Sequence, residues 1–161
     1  VLQEPFMFYG TIKSNIRLFN EQITDEQIKE AAKFVSADTF INKLPAKYDE
    51  KVIERGASYS TGEKQLIAFA RTIATNPKIL ILDEATANID TETEQLIQQS
   101  LARMQDGRTT IAIAHRLSTI QHADTILVLH QGEIVERGTN DELMKQRGVY
   151  YDMIQKQNMA Y

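Results

Sequence analysis

Residues 59–90 read YSTGEKQLIAFARTIATNPKILILDEATANID, and few folds accommodate that order of signals. Ser60-x-x-Glu63 has the form of a capping box, in which two side chains satisfy each other's free backbone donors at a helix start. Leu66, Phe69, Ala70, Ile73 and Ala74 then recur at i, i+3, i+4, i+7 and i+8, which predicts one helix face laid on a core. Asn76-Pro77 ends that helix, because the residue before a proline is pushed out of the helical region. Residues 79–82 (ILIL) predict a buried strand that runs directly into two adjacent carboxylates, Asp83 and Glu84.

Downstream, strand and helix signals alternate. A helix is expected over 91–104 with Ile97, Leu101 and Met104 inward, a turn at Asp106-Gly107, and a second strand over 109–114 (TTIAIA) that delivers His115. Residues 119–123 suggest one helical turn. Residues 125–129 and 133–137 flank Gln131-Gly132 as a hairpin. Thr139 to Glu142 caps a further helix, and Gly148 separates it from a helical segment over 149–158. Buried strands joined by helices predict an α/β fold with a mostly parallel sheet.

Upstream the pattern is different. Val1-Leu2 reads as the end of a strand already under way, and Pro5 and Gly10 punctuate a loop carrying Phe6, Met7, Phe8 and Tyr9. An apolar, aromatic loop either packs beneath the next helices or meets a partner. Short helices are expected over 11–18 and 37–44. Between them Thr24-Asp25-Glu26-Gln27 forms a second capping box, ahead of Ile28, Ala31, Ala32 and Val35. Residues 48–56 look like polar loop. Residues 11–58 therefore predict a mostly helical unit with no strong strand.

Composition narrows the function classes. The 161 residues include no cysteine, which excludes disulfides, thiolate metal sites and a cysteine nucleophile. A net charge of -4 argues against a nucleic-acid-binding face. The longest apolar runs fall far short of the roughly 20 residues of a membrane-spanning helix. The expectation is a soluble domain, or a soluble piece of something larger.

The acids and the histidine suggest phosphoryl chemistry. In an open α/β sheet, ligands bind beyond the carboxyl ends of the strands, where Asp83-Glu84 and His115 are delivered. Two adjacent carboxylates repel, and a bound Mg²⁺ removes that conflict. In P-loop NTPases the acid ending this strand helps hold Mg²⁺, and the next acid is placed to orient an attacking water. A histidine there can stabilise charge on a phosphate oxygen. Ser60 to Glu63, at a helix N-terminus, suits a phosphate. Each piece alone also has a plain reading: capping acids, a surface histidine, an ordinary capping box.

Taken in order, Tyr59-Ser60-Thr61-Gly62-Glu63-Lys64-Gln65, ILILDEAT, Ala87-Asn88-Ile89-Asp90 and Ala114-His115-Arg116-Leu117-Ser118-Thr119 resemble the ATP-binding-cassette (ABC) ATPases along the whole chain. Gln3-Glu4-Pro5 is similar to that family's Q-loop, and Glu54-Arg55-Gly56 to the loop preceding the signature in ABC exporters. The resemblance implies an α/β P-loop NTPase (RecA-like) core, incomplete here, with a helical ABC-specific subdomain. It divides the chain into a Q-loop over 1–10, a helical subdomain with the signature over 11–76, and the second half of the ATPase core over 77–161. It implies ATP and Mg²⁺ as cofactors. Gln3 would coordinate Mg²⁺ and the attacking water, and Asp83 would be the Walker B ligand of Mg²⁺. Glu84 would be the catalytic glutamate and His115 the switch histidine. Ser60, Thr61, Gly62 and Glu63 fall on the signature, which contacts ATP held by a second nucleotide-binding domain, and Asp90 on the D-loop that crosses to it. Residues 3–9 and Glu54 would meet the coupling helices of a transmembrane domain, on the cytoplasmic face of the cell membrane.

Two departures from the family pattern stand out. No G-x-x-x-x-G-K-[ST] occurs, and this chain starts at the Q-loop, so it is expected to be the second half of a nucleotide-binding domain, inactive by itself. In the signature, Thr61 replaces a glycine and Glu63 a glutamine. Both changes oppose close approach of a triphosphate, by bulk and by charge, and point to one half of a heterodimeric exporter; tolerated variation in a homodimer is the alternative. Chromosome-maintenance and translation-type ABC ATPases are the runner-up, without the coiled coils or basic face they would bring. A non-catalytic interaction module is a further alternative for the chain alone.

Overall fold

The computed structural model describes residues 5–83, 91–113 and 120–159, apart from the side chains of Thr91, Glu92 and Asn158. Residues 1–113 and 114–161 form two compact units.

In the first unit, β1 (Gly10–Thr11) leads into α1 (Ile12–Arg17), whose N-cap Thr11 forms a capping box with Ser14. Leu18 closes α1 in the left-handed conformation at φ 45°. Helix α2 (Asp25–Phe34) starts at the expected Thr24–Gln27 box and buries Ile28, Ala31 and Ala32. Helix α3 (Asp38–Ile41) is shorter than the stretch predicted over 37–44, because the chain breaks into turns before Pro45. The stretch read as polar loop holds 3₁₀ turns at Lys47–Asp49 and Glu54–Gly56, with β2 (Lys51–Val52) between them. Strand β2 pairs antiparallel with β1, Gly10 opposite Val52, and two residues are too few for a period-two pattern to show in sequence.

Helix α4 (Thr61–Ala74) is the axis of this unit, packed against α1, α2 and α5 (Thr91–Gln105). Its predicted stripe is inward: Leu66, Phe69 and Ala70 are buried, with Ile67 beside them, while Ile73 and Ala74 lie at the edge. Asn76, in the left-handed region at φ 46°, turns the chain ahead of Pro77. From α5, Ile97, Leu101 and Met104 enter the same core, as the spacing predicts. Ser100, also buried, donates to the Val35 carbonyl at 2.8 Å and so ties α5 to the end of α2.

Strand β3 (Ile79–Asp83) pairs in parallel with β4 (Thr109–Ile113), in register from Ile79–Thr109 to Asp83–Ile113. Strand β3 was expected to be buried outright, but only one face is. Leu80 and Leu82 enter the core, whereas Ile79 and Ile81, with Ile111 and Ile113 of β4, are each more than half exposed. Successive side chains alternate faces, and the helices α4 and α5 supply apolar partners to one face only.

The second unit is built on the hairpin of β5 (Ile126–His130) and β6 (Glu133–Gly138). Gln131 (φ 49°) and Gly132 (φ 86°) both sit in the left-handed region, the requirement of a type I′ turn that matches strand twist. Helix α6 (Asn140–Gln146) begins at the Thr139–Glu142 capping box. Helix α7 (Val149–Met159) is capped across space: the backbone N–H groups of Val149 and Tyr150 donate to the Glu136 carboxylate of β6 at 2.5 and 2.9 Å. Ile126, Val128, Leu143, Tyr150 and Ile154 form this unit's core.

Candidate functional site

Ser60 is the N-cap of α4, with extended backbone at φ -64°, ψ 161°. The Glu63 N–H donates to Ser60 Oγ at 3.2 Å, and the Ser60 N–H donates to Glu63 Oε2 at 2.8 Å. The carboxylate thus sits on the positive end of the helix, held there by the backbone it satisfies. Ser60 and Thr61 are exposed, Glu63 is half-buried and Gly62 is buried. Beneath them Tyr59 is buried against the Phe40 ring, 6.5 Å between centroids, and burial raises its phenol above the usual range.

Asp83 ends β3 half-buried, and its register partner Ile113 ends β4. Because the pair is parallel, both strands finish at one edge, the placement expected for a ligand site in an α/β sheet. Gln3, Glu84, Asp90 and His115 lie outside the described residues. Among the described residues, no group of three or more His, Cys, Asp or Glu is arranged to hold a metal. One carboxylate at a strand tip nevertheless suits Mg²⁺, which takes one or two protein oxygens and completes its shell with waters and substrate phosphates.

The segment after Gln3 packs one of its apolar residues against the unit and leaves its rings exposed. Met7 is buried against Gly56, while Phe6, Phe8 and Tyr9 remain exposed, Tyr9 at 85%. Phe6, Phe8 and Phe19 form an edge-to-face chain, with the Arg55 guanidinium 5.7 Å from the Phe6 ring centre and that of Arg71 5.6 Å from Phe8. Glu54 and Arg55 both have positive φ, and Arg55 reaches the patch through its contact with Phe6.

Sequence reasoning missed three residues here. Asn15, 1% exposed, accepts from the Phe8 N–H at 2.7 Å and donates through Nδ2 to the Phe8 and Thr11 carbonyls at 2.9 Å each. Arg71 donates to the Asn15 carbonyl at 2.8 Å and to the Phe6 carbonyl at 3.1 Å. Gln65 is buried in α4, and its Nε2 has no partner among the described residues. A polar side chain interrupting a helix's apolar face was the available signal for Gln65. Nothing local marks Asn15 or Arg71, whose partners are as far as 65 residues away in sequence.

A parallel strand pair ending in a carboxylate fits the core of a P-loop NTPase in incomplete form. The chain belongs to the ABC transporter family, whose sequence model matches residues 3–87. It is 63% identical over 153 residues to a Streptococcus pneumoniae protein named as an ABC transporter ATP-binding protein, exp8, covering 95% of this chain and 26% of that protein. It is 57% identical over 157 residues to YheH of Bacillus subtilis, named as a multidrug resistance ABC transporter ATP-binding/permease protein, covering 98% of this chain and 23% of that one. In structure it is similar to a bacterial Atm1-family ABC exporter with ATP bound, with a TM-score of 0.85 and 44% identity over 96% of this chain and 27% of that chain. The chain therefore spans about a quarter of the length of the proteins it resembles. Among the described residues, no helix is long and apolar enough to cross a membrane.

Proposed function

We propose that this chain is part of the nucleotide-binding domain of an ABC exporter, in which ATP closes two such domains on each other and its hydrolysis is coupled to export. The observation that carries this reading is the parallel register that ends Asp83 and Ile113 at one edge. Residues 84 and 115 follow those strand ends by one and two positions in the chain. Asp83 and Gln3 would hold Mg²⁺ through side-chain oxygens, and the ion would supply charge neutralisation for phosphoryl transfer. Glu84 orients the attacking water and accepts its proton, and His115 donates a hydrogen bond to a γ-phosphate oxygen.

Ser60, Thr61, Gly62 and Glu63 face ATP bound by a second nucleotide-binding domain, and Asp90 crosses to it. The Glu63 carboxylate already accepts from the Ser60 N–H, so a phosphate approaching this helix start meets a negative charge. That favours a heterodimer in which this signature completes the weaker site, while Asp83, Glu84 and His115 serve the active one. The exposed aromatic patch of Phe6, Phe8 and Tyr9, together with Glu54, receives the coupling helices of the transmembrane domain at the cytoplasmic face of the cell membrane. Functionally, residues 1–10 are the Q-loop, 11–76 the helical subdomain and 77–161 the second half of the ATPase core. By itself the chain holds no G-x-x-x-x-G-K-[ST] and does not turn over ATP.

The test is ATP hydrolysis by the full-length transporter with Glu84→Gln in this chain. Loss of the water-orienting base lowers turnover by about 10²-fold or more while ATP still binds. Turnover within a factor of two of the unaltered transporter would show that another residue carries the chemistry.

A further inference from the structure

Arg71 and the buried Asn15 make one partly buried polar junction that the nucleotide chemistry does not use. Arg71 lies in the last turn of α4, eleven residues after the cap Ser60, which is about three turns and about 16 Å along the helix. Its guanidinium reaches three acceptors: the Asn15 carbonyl at 2.8 Å, the Phe6 carbonyl at 3.1 Å and Asn15 Oδ1 at 3.4 Å. Its Cζ stands 5.6 Å from the Phe8 ring centre. Asn15 closes the junction from the other side, bonding both the N–H and the carbonyl of Phe8. The planar fork of arginine, with donors fixed in direction, suits such a set of carbonyls, and a lysine ammonium can meet only part of it. Backbone carbonyls carry no sequence information, so these bonds fix where residues 6–8 lie and leave their exposed rings free.

We propose that Arg71, supported by Asn15, is a positioning residue that fastens the aromatic docking segment Phe6–Phe8 to the far end of α4, so that the segment and the Ser60 cap move as one rigid lever. The proposal rests on the exporter reading for its role in coupling, but the junction itself does not depend on it. Without the junction, the segment would keep the buried Met7 and the ring contacts of Phe6 with Arg55 and of Phe8 with Phe19. It would lose its hydrogen bond to α4, and its displacement would not be delivered to the helix start.

Hydrogen exchange and ATP hydrolysis of the full-length transporter test this together, with Arg71→Lys as the conservative variant and Arg71→Gln as the neutral one. In nucleotide-free protein the Phe8 amide, whose acceptor Asn15 is held by Arg71, exchanges about tenfold faster in Arg71→Gln and by a smaller factor in Arg71→Lys. Exchange in α6, in the other compact unit, is unchanged and reports folding. The ATPase kcat falls about tenfold in Arg71→Gln while the KM for ATP stays within twofold, with partial recovery in Arg71→Lys. If Arg71→Gln does not fold, the Arg71→Lys exchange difference alone decides. Unaltered Phe8 exchange in the folded variants, or a loss of kcat matched by an equal rise in KM, overturns the proposal. Faster Phe8 exchange in a transporter whose unaltered form hydrolyses no ATP retains the junction and removes only the exporter reading.

Discussion

Glu63→Gln separates the two jobs of the α4 cap. In the folded chain Glu63 Oε2 accepts from the Ser60 N–H at 2.8 Å, and a glutamine amide oxygen can reach the same donor, so the capping box survives. What is lost is a negative charge on the helix's positive end, about 0.3–1 kcal/mol of stability. What is gained concerns the incoming nucleotide. A phosphate accepting from neighbouring N–H groups would stand about 4 Å from the carboxylate, where like charges repel by about 1 kcal/mol in bulk water and about 4 kcal/mol near a protein surface. Glu63 is half-buried, so about 1–2 kcal/mol is the expected relief, which is about 5- to 30-fold in affinity. Equilibrium binding of a non-hydrolysable ATP analogue to the full-length transporter reads that factor, and thermal unfolding reads the small loss. Glu63→Ala is the control: it also removes the charge but breaks the box, costing about 1 kcal/mol. An affinity that is unchanged or weaker in Glu63→Gln, with the fold intact, would refute the idea that this carboxylate guards the site.

Two other perturbations follow from the packing. Gly56 has φ +73°, and a Cβ there would stand 2.7 Å from Met7 Sδ and 3.3 Å from Met7 Cβ, so Gly56→Ala combines a left-handed penalty with overpacking of a buried residue. The expected cost is about 2–4 kcal/mol, read as a lowered urea midpoint, and a change under about 0.5 kcal/mol would contradict it. Glu142 accepts from the Thr139 N–H at 2.8 Å and from its hydroxyl at 3.1 Å, and these bonds hold its carboxyl below the usual range. A depressed folded pKa gives stability that is present above the unfolded value of about 4.3 and is lost as pH falls through the folded one. Thermal unfolding between pH 5 and pH 3 should therefore decline more steeply for the native chain than for Glu142→Gln, and equal slopes would sink the assignment.

The sequence by itself determined what depends on near neighbours. Capping boxes at Thr24, Ser60 and Thr139 are four-residue events, and the structure has each one where its side chains dictate. The α4 and α5 stripes were legible because helical geometry repeats every 3.6 residues, and the Gln131-Gly132 turn because only a few residue types tolerate positive φ twice in succession. The end of β3 at Asp83 was legible because an acid closing an apolar run marks where a strand leaves the core.

Only the tertiary structure decided what depends on distant partners. The β1–β2 pair joins residues about forty positions apart, and two residues of each strand leave no periodic trace. The exposure of Ile79 and Ile81 follows from which neighbours cover the sheet, a matter the strand's own residues do not encode. That Met7 packs beneath Gly56 while Phe6, Phe8 and Tyr9 lie exposed is likewise set by contacts distant in the chain. The junction of Arg71 and Asn15 with the Phe6 and Phe8 backbone was invisible for the same reason: carbonyl acceptors look alike in every residue, and only folding brings a particular one within 3 Å of a guanidinium.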